Sequence, residues 1–511
     1  MSQQKVVNNK LSINFIATTI QMIINYGISF GLTPFLVENV GSEAYGFVGL
    51  SNNMVNYVSI ITIALNSVAG RFITICIHRG EKKDANEYFN SVIGANCLLA
   101  IVVCIIFFPI IIFIDAIFDI PLKLIGDVRL LFLFIVLNYI VTIVSNVFTV
   151  ATFITNDLYL TNIGNSIGAI LRVGLLVALF GILPTKVAYV GMTSLASTIF
   201  ISIYNYFITK KSNVGLVVDL KNFKFDKIKV LFISGIWSSV TKLSQVLADG
   251  LDLLISNLFL SSSVMGALSV AYTIPTLIGT TIGTISSIFS PQQTYYFAKD
   301  NISGVVKQLT LNMKMMGFFA SIIISGFIVY GMEFFEIWTP TQDINLIYNL
   351  AIISSISIIV SGVTTALNNV FLITNHLKEN SLVILGTSFF DIFMMFLLLK
   401  FTSLGVFAVA GVSKVVGLFL NLTYVPMYSA YCLGVSKKTF YPVIVRYISC
   451  IIIILIEMIF IRHIMSTTHT NFVIFICKCL ISGLMGIITN FFLLLNNEEK
   501  SYFMLRVKSK L

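Results

Sequence analysis

The sequence predicts an all-α integral membrane protein of about fourteen transmembrane helices: two six-helix lobes related as parallel repeats around a central cavity, plus two C-terminal helices. Three observations carry that expectation: composition, apolar runs of bilayer length, and internal self-similarity. Of the 511 residues, 57% are hydrophobic and 11% charged, and the mean hydropathy is +0.95. A soluble domain carries about 25% charged residues. A hydrocarbon layer about 30 Å thick needs about 20 apolar residues per helix, and such runs succeed one another along the whole chain, leaving no room for a soluble domain. Lys5 and Lys10 precede a polar-striped helix with no small-residue cleavage site, so the first span is expected to stay in the membrane.

Hydropathy places the spans near 11–38, 44–70, 88–114, 128–154, 160–182, 187–209, 230–259, 264–290, 308–331, 345–372, 380–400, 404–430, 440–463 and 472–496. An even number puts both termini on one side. Lys and Arg decide which: with a cytoplasmic N-terminus, Arg71, Arg79, Lys82, Lys83, Lys210, Lys211, Lys437 and Lys438 fall inside with most of the others, and only Lys123, Arg129, Lys186, Lys400 and Arg462 face outward. The net charge of +10 is then a topological signal that also attracts anionic lipid head groups. Nucleic acid binding is disfavoured, because the basic residues are scattered over short loops without interleaved aromatics. The basic loop 211–229 joins the halves; Leu216, Val217, Phe223, Phe225 and Ile228 suggest an amphipathic helix on the inner membrane surface.

The repeat has an offset of about 220 residues. Gly46 opens the second span and Gly266 the eighth; Gly191 matches Gly411; and Phe153-Ile154-Thr155-Asn156 ends the fourth span as Leu372-Ile373-Thr374-Asn375 ends the tenth. Helices one to six thus map onto seven to twelve and enter from the same side, which makes them parallel repeats with a binding site expected near the midplane of their interface. The expected organisation is an N-terminal lobe (1–210), a cytoplasmic linker (211–229), a C-terminal lobe (230–430), and two additional helices with a basic tail (431–511).

A polar stripe runs along the seventh span. Ser238, Lys242, Gln245, Asp249, Asp252 and Ser256 are spaced to share one helical face. The first span repeats the stripe in neutral form, with Asn14, Thr18, Gln21, Asn25 and Ser29. The second adds Asn52, Asn56, Ser59, Thr62 and Asn66, and the eighth adds Thr273, Thr276, Thr280, Thr284 and Ser287. A charged residue at a helix centre costs about 2.5–3.5 kcal/mol on insertion scales, so these groups are expected to face one another or water. The bland alternative for the neutral residues is interhelical glue, worth about 0.6 kcal/mol per contact. Lys242 and Asp249 lie roughly 10 Å apart along the axis, too far to pair. Asp249 and Asp252 are like-charged neighbours that could share one proton.

Arg172 and Asp391 occupy nearly equivalent places in the fifth and eleventh spans, which suggests a charge pairing between lobes; Lys414 is deep enough to face the cavity, whereas Lys314 and Lys478 are close enough to helix ends to snorkel. The seven cysteines form no C-x-x-C pair and the four histidines have no ligand spacing. No metal or cofactor is implied, and without long loops bearing paired carboxylates catalysis is disfavoured. A lysine among neutral hydrogen-bonding groups suits a large polar solute with anionic groups.

KVLFISGIWSSVTKLSQVLADGLDLLISNLFLSSSVMGALSVAYTIP and FGLTPFLVENVGSEAYGFVGL resemble the polysaccharide transporter (Wzx-like) branch of the multidrug/oligosaccharidyl-lipid/polysaccharide exporter superfamily, a similarity of pattern that extends over residues 11–430. The resemblance implies two six-helix lobes forming a V in a bacterial inner membrane, both termini cytoplasmic, and movement of an undecaprenyl-diphosphate-linked oligosaccharide, such as an O-antigen repeat unit, to the outer leaflet. Lys242 and Arg71 would attract the diphosphate. Asn25, Asn52, Asn56, Asn66, Gln245 and Thr276 would hold sugars, and Asp249 and Asp252 would couple transport to a proton or Na+. Membrane lipids, a polysaccharide polymerase and chain-length proteins are the implied partners. Three alternatives stay open: a multidrug or cation antiporter, which would favour an acidic cavity; a lipid II flippase, which would favour several cavity arginines; and a non-transporting membrane scaffold, which leaves the repeated stripes unexplained.

Overall fold

The computed structural model describes residues 2–155, 157–212, 214–465, 472–496 and 500; within these the side chains of 2–12, 15, 220, 249, 288, 291 and 298 are outside the description. Asn156, the last residue of one repeat signature, is likewise outside it. Among the described residues the fold is all-helical, with no strand. The first two spans form one run, Ser2–His78, broken at Gly41, whose φ of 85° and ψ of 159° are open to glycine. We call the part before the break α1 and Ser42–His78 α2. There follow α3 (Lys82–Ile112), α4 (Ile125–Ile154), α5 (Leu158–Ile182), α6 (Ala188–Lys211), α7 (Phe225–Gln245), α8 (Asp252–Phe259) and α9 (Ser262–Ala298). The remainder are α10 (Ile302–Trp338), α11 (Ile344–Ile373), α12 (Leu377–Phe401), α13 (Val406–Cys432), α14 (Tyr441–Ile464) and α15 (Phe472–Leu493).

Thirteen helices among the described residues are long and apolar enough to cross a membrane. The expected span near 187–209 is present as the 24-residue α6, but Ser194, Ser197, Thr198, Ser202 and Asn205 dilute its apolar character. It packs on α4 and α5, where those groups find partners: Ser197 donates to the Gly168 carbonyl (2.7 Å) and Ser202 to Ser145 (2.8 Å). The repeat is visible locally. One turn of 3₁₀ helix interrupts α4 at Asn146–Thr149 and α11 at Thr365–Leu367.

Packing divides the chain into two compact units, Met1–Ser269 and Val270–Leu511. The division falls inside α9, later than the linker, because α7 packs along α2. That approach depends on Gly235: a Cβ there would lie 1.8 Å from the Ala64 carbonyl oxygen. The repeat-related glycines also meet within this unit, where a Cβ on Gly46 would lie 2.9 Å from Cα of Gly266. Small residues thus let these helices cross closely.

The linker is not an interfacial helix. Residues 215–219 run extended along α3, and two asparagines one turn apart read their backbone. Asn86 donates to the Gly215 carbonyl (2.8 Å) and accepts from Val217 N–H (2.8 Å); Asn90 donates to the Val217 carbonyl (2.9 Å) and accepts from Asp219 N–H (2.8 Å). Ser91 then exchanges hydrogen bonds with the Lys224 backbone. These side chains supply what a helix would otherwise have supplied internally, and Phe223 packs over Gly94.

In the C-terminal unit, α14 and α15 pack on the 37-residue α10. Lys314 and Lys478 do not snorkel; they are 2% and 4% exposed. Lys478 pairs with Glu333 at 3.0 Å, and Arg462 reaches the other oxygen of the same carboxylate at 3.0 Å. Tyr330 bonds Ser482 (2.7 Å), and Asn490 donates to Ser321 (2.8 Å) and to the Phe318 carbonyl (2.9 Å). Intramembrane polar groups pair inward where lipid offers no partner.

Gly235→Ala is expected to destabilise the protein by about 2 kcal/mol, in the range of an overpacked contact, read as a lower melting temperature in detergent. Gly27→Ala, with no atom within 4 Å of the new Cβ, should not lower it. Equal melting of the two variants would contradict the close α2–α7 approach.

Candidate functional site

The seventh span is not one continuous helix. α7 ends at Gln245, a π-helical turn covers Val246–Gly250, the chain bends at Leu251, and α8 begins at Asp252. The wider turn and bend rotate α8 away from the face that regular helical spacing would give it. The expected single stripe therefore splits. Lys242 is half-buried and Gln245 exposed, whereas Asp252 and Ser256 are buried. The carbonyl of Gly250 is held from α2, by Tyr57 Oη at 2.6 Å and Asn53 Nδ2 at 3.2 Å. Irregular backbone is tolerated at membrane depth only with such partners. Asp252 lies within electrostatic reach of Tyr57; the side chain of Asp249, in the π turn, is outside the description.

A cavity of about 480 Å³ opens inside the N-terminal unit, walled by α1, α2, α4, α5 and α6. Between aliphatic side chains such as Ile28, Val48 and Ile135, its uncharged polar lining is amide and hydroxyl: Gln21, Asn25 and Ser29 from α1, Asn52 from α2, Asn138 from α4, Asn165 from α5, and serines and a threonine from α6. Arg172 is the only charged residue among those lining it. The guanidinium makes no hydrogen bond or ion pair among the described residues, and its Nε is buried without a partner. A guanidinium among neutral dipoles, with no carboxylate among the described lining residues, has the chemistry to receive an anion.

A second cavity, of about 510 Å³, lies between α1, α2, α3, α4 and α5 and also has one charged lining residue, Arg71. The expected span ends before Arg71, but α2 runs on to His78, so this arginine belongs to the same helix as Asn52 and Asn66. Arg71 too is without a hydrogen bond or ion pair among the described residues. Asn66 lines this cavity and pairs with Asn96, each amide donating to the other at 3.2 and 3.0 Å. On α5 the two cavities are linked by Asn162, Asn165, Ala169 and Arg172, about 15 Å of rise from first to last.

Of the expected site residues, Asn25, Asn52 and Arg172 thus meet in one cavity, and Asn66 and Arg71 in the other. Lys242, Gln245, Asn56 and Thr276 line neither. Asp391 is buried on α12, and Lys414 stands 5.8 Å from the Tyr272 ring centroid within the C-terminal unit. Asn138, Asn165, Ser194, Ser197 and Thr198 are cavity residues that the sequence reading misses. Their signal is spacing: Asn162, Asn165 and Arg172 share a face of α5, as Ser194, Ser197 and Thr198 do on α6.

No family profile matches the chain. A membrane protein of Bacillus subtilis (strain 168) described as uncharacterized, EpsK, is 28% identical over 431 residues, 84% of this chain and 85% of its own length. Among solved structures, the lipid II flippase MurJ in an inward closed conformation superposes with a TM-score of 0.68 at 14% identity, covering 93% of this chain and 97% of its own. An inward-facing multidrug resistance MATE transporter of the MOP superfamily gives 0.64 at 14%, covering 83% and 99%. A Pyrococcus furiosus MOP transporter, described as having a binding pocket of reverse polarity, gives 0.58 at 15%, covering 82% and 95%. The fold is that of the MATE and MurJ transporters.

With the native cysteines replaced, Asn165→Cys is expected to react with a membrane-impermeant maleimide in at least one conformational state, whereas Ile456→Cys, on the exposed apolar face of α14, should stay unmodified. An unreactive Asn165→Cys in every state would mean that the arginine-bearing cavity is dry.

Proposed function

We propose that the protein is a flippase that carries an undecaprenyl-diphosphate-linked oligosaccharide, an O-antigen repeat unit or similar surface glycan, from the inner to the outer leaflet of the bacterial cytoplasmic membrane by alternating access. The observation that carries this reading is the unpaired Arg172 in a cavity whose other polar lining is entirely neutral. A diphosphate supplies the charge that the guanidinium lacks, and amides and hydroxyls exchange water contacts for sugar hydroxyls. Arg71 extends the same chemistry toward the cytoplasmic end of α2, where the positive-inside pattern places it. Lys242 would meet the diphosphate at another stage, with Gln245, Asn56 and Thr276 as further sugar contacts.

Coupling to a proton or Na+ is assigned to Asp249 and Asp252, because a helix broken beside a buried carboxylate is the type of site at which transporters hold a coupling ion. Drug–cation antiport is the weaker reading. A lipophilic cation would need a carboxylate in the cavity, and Arg172 would repel it. A second reading, lipid II transport, is favoured by two observations: two arginines instead of one in the cavities of the N-terminal unit, and the 93% coverage by the MurJ structure. The two readings share the diphosphate and differ in the sugar.

Arg172→Gln and Arg71→Gln are each expected to reduce surface polysaccharide at least tenfold at unchanged protein abundance, with Arg172→Lys retaining part of the activity and Lys242→Ala giving a loss of similar size. Wild-type polysaccharide in Arg172→Gln cells would remove the anion-site reading. Loss of peptidoglycan synthesis with polysaccharide unaffected would favour lipid II.

A further inference from the structure

A third cavity lies on the other side of the α1–α5 contact. It is an apolar groove of about 310 Å³ lined by Ile13, Ile16 and Ile20 of α1 and Ile163, Ile167 and Ile170 of α5, with a few smaller or polar neighbours. All six isoleucines are exposed. Each row spans about 10 Å of helix rise. The groove is adjacent to the Arg71 cavity in sequence and space: Ala17 and Ile163 line the dry side, while Thr18 and Asn162, their chain neighbours, line the wet side.

Between the two sides the contact is polar. Asn162 Nδ2 donates to Thr18 Oγ1 at 2.7 Å, and Asn14 Oδ1 accepts from Tyr159 N–H at 2.9 Å. A seam closed by side-chain hydrogen bonds between two helices can part and re-form without exposing new apolar surface, because its groups are matched by water or by phosphate and sugar oxygens when it opens. We infer that this seam is a side entrance: the lipid-linked substrate enters between α1 and α5, its diphosphate turning in toward Arg71 while its hydrocarbon tail stays outside in the isoleucine groove. The inference rests on the transport reading above and adds where in the fold the tail rides.

Charge and shape select the occupant. One side of the seam offers a cation with no carboxylate among the described lining residues, the other a lining dominated by six isoleucines, and the two are at the same level of the same helix pair. An amphiphile with an anionic head and one long chain satisfies both sides at once. The methyl branches of a polyprenyl chain interdigitate with β-branched isoleucines, as matched aliphatic surfaces do in a core. A phospholipid brings a singly charged phosphodiester and two straight chains instead of a diphosphate and one branched chain, and is the competing occupant.

The test uses the full chain reconstituted in phosphatidylethanolamine–phosphatidylglycerol vesicles, with benzoylphenylalanine at position 167 in one protein and at the lipid-facing Phe108 in another. The probe is radiolabelled undecaprenyl diphosphate. Labelling at 167 should exceed that at 108 at least tenfold, compete with unlabelled undecaprenyl diphosphate but not with added phosphatidylglycerol, and fall at least fivefold with Arg71→Gln. A Thr18→Cys/Asn162→Cys pair in a background without native cysteines should block translocation of the sugar-bearing lipid when oxidised and restore it when reduced. Equal labelling at the two positions, or translocation unaffected by the oxidised pair, overturns the entrance. Transport by the wild type without preferential labelling at 167 overturns the entrance and leaves the transport reading standing; preferential labelling without transport supports the groove and overturns that reading.

Discussion

Hydrocarbon offers no partner to a polar group, and nearly every feature of the N-terminal unit derives from that constraint. Amides are matched to amides, as in the reciprocal Asn66–Asn96 pair. Hydroxyls return to backbone carbonyls, and the carbonyl of Gly250 is taken up by Tyr57 and Asn53. The glycines at helix crossings serve the same end, bringing backbones close enough for such bonds to form. Asn138 Oδ1 and Arg172 Nε, buried in one cavity without a hydrogen-bond partner, and the cation Arg71 in the next cavity depart from that pattern. Arg172 and Arg71 are cations on membrane-length helices, both line cavities, and neither pairs with a carboxylate among the described residues.

The contrast with the C-terminal unit sharpens the point. There one carboxylate gathers two cations: Glu333 takes Lys478 on one oxygen and Arg462 on the other, fastening α14 and α15 to α10. Removing one partner from such a set leaves a buried charge uncompensated, which is why paired charges serve architecture. An unpaired cation beside space and neutral hydrogen-bonding groups has the opposite meaning. On the transport reading proposed above, its counter-charge arrives with the substrate, and an internal carboxylate would compete with that substrate for the guanidinium.

Much of this is legible in the sequence. Hydropathy locates the spans, and helical spacing alone turns the neutral stripes of α1 and α2 inward, Asn25, Asn52 and Asn66 among them. The features that escape it do so for physical reasons. The spacing from Ser238 to Ser256 fits an ideal helix perfectly well, and nothing local announces that a π turn at Val246–Gly250 will rotate its second half. The strap after α6 reads as amphipathic, but its hydrogen-bonding partners, Asn86 and Asn90, lie about 130 residues away by the separation of their bonds. Arg172 taken alone suggests a charge pair with Asp391; taken with Asn162 and Asn165 on the same face of α5, it belongs to a lining.

The transport reading stands on the sign of the charge that the Arg172 cavity receives. The most direct measurement is equilibrium binding to the detergent-solubilised protein of two amphiphiles of opposite charge, an undecaprenyl diphosphate sugar and tetraphenylphosphonium. The expected result is saturable binding of the anion, weakened at least tenfold by Arg172→Gln, and no saturable binding of the cation. Binding of tetraphenylphosphonium, or an anion affinity indifferent to Arg172, would contradict it.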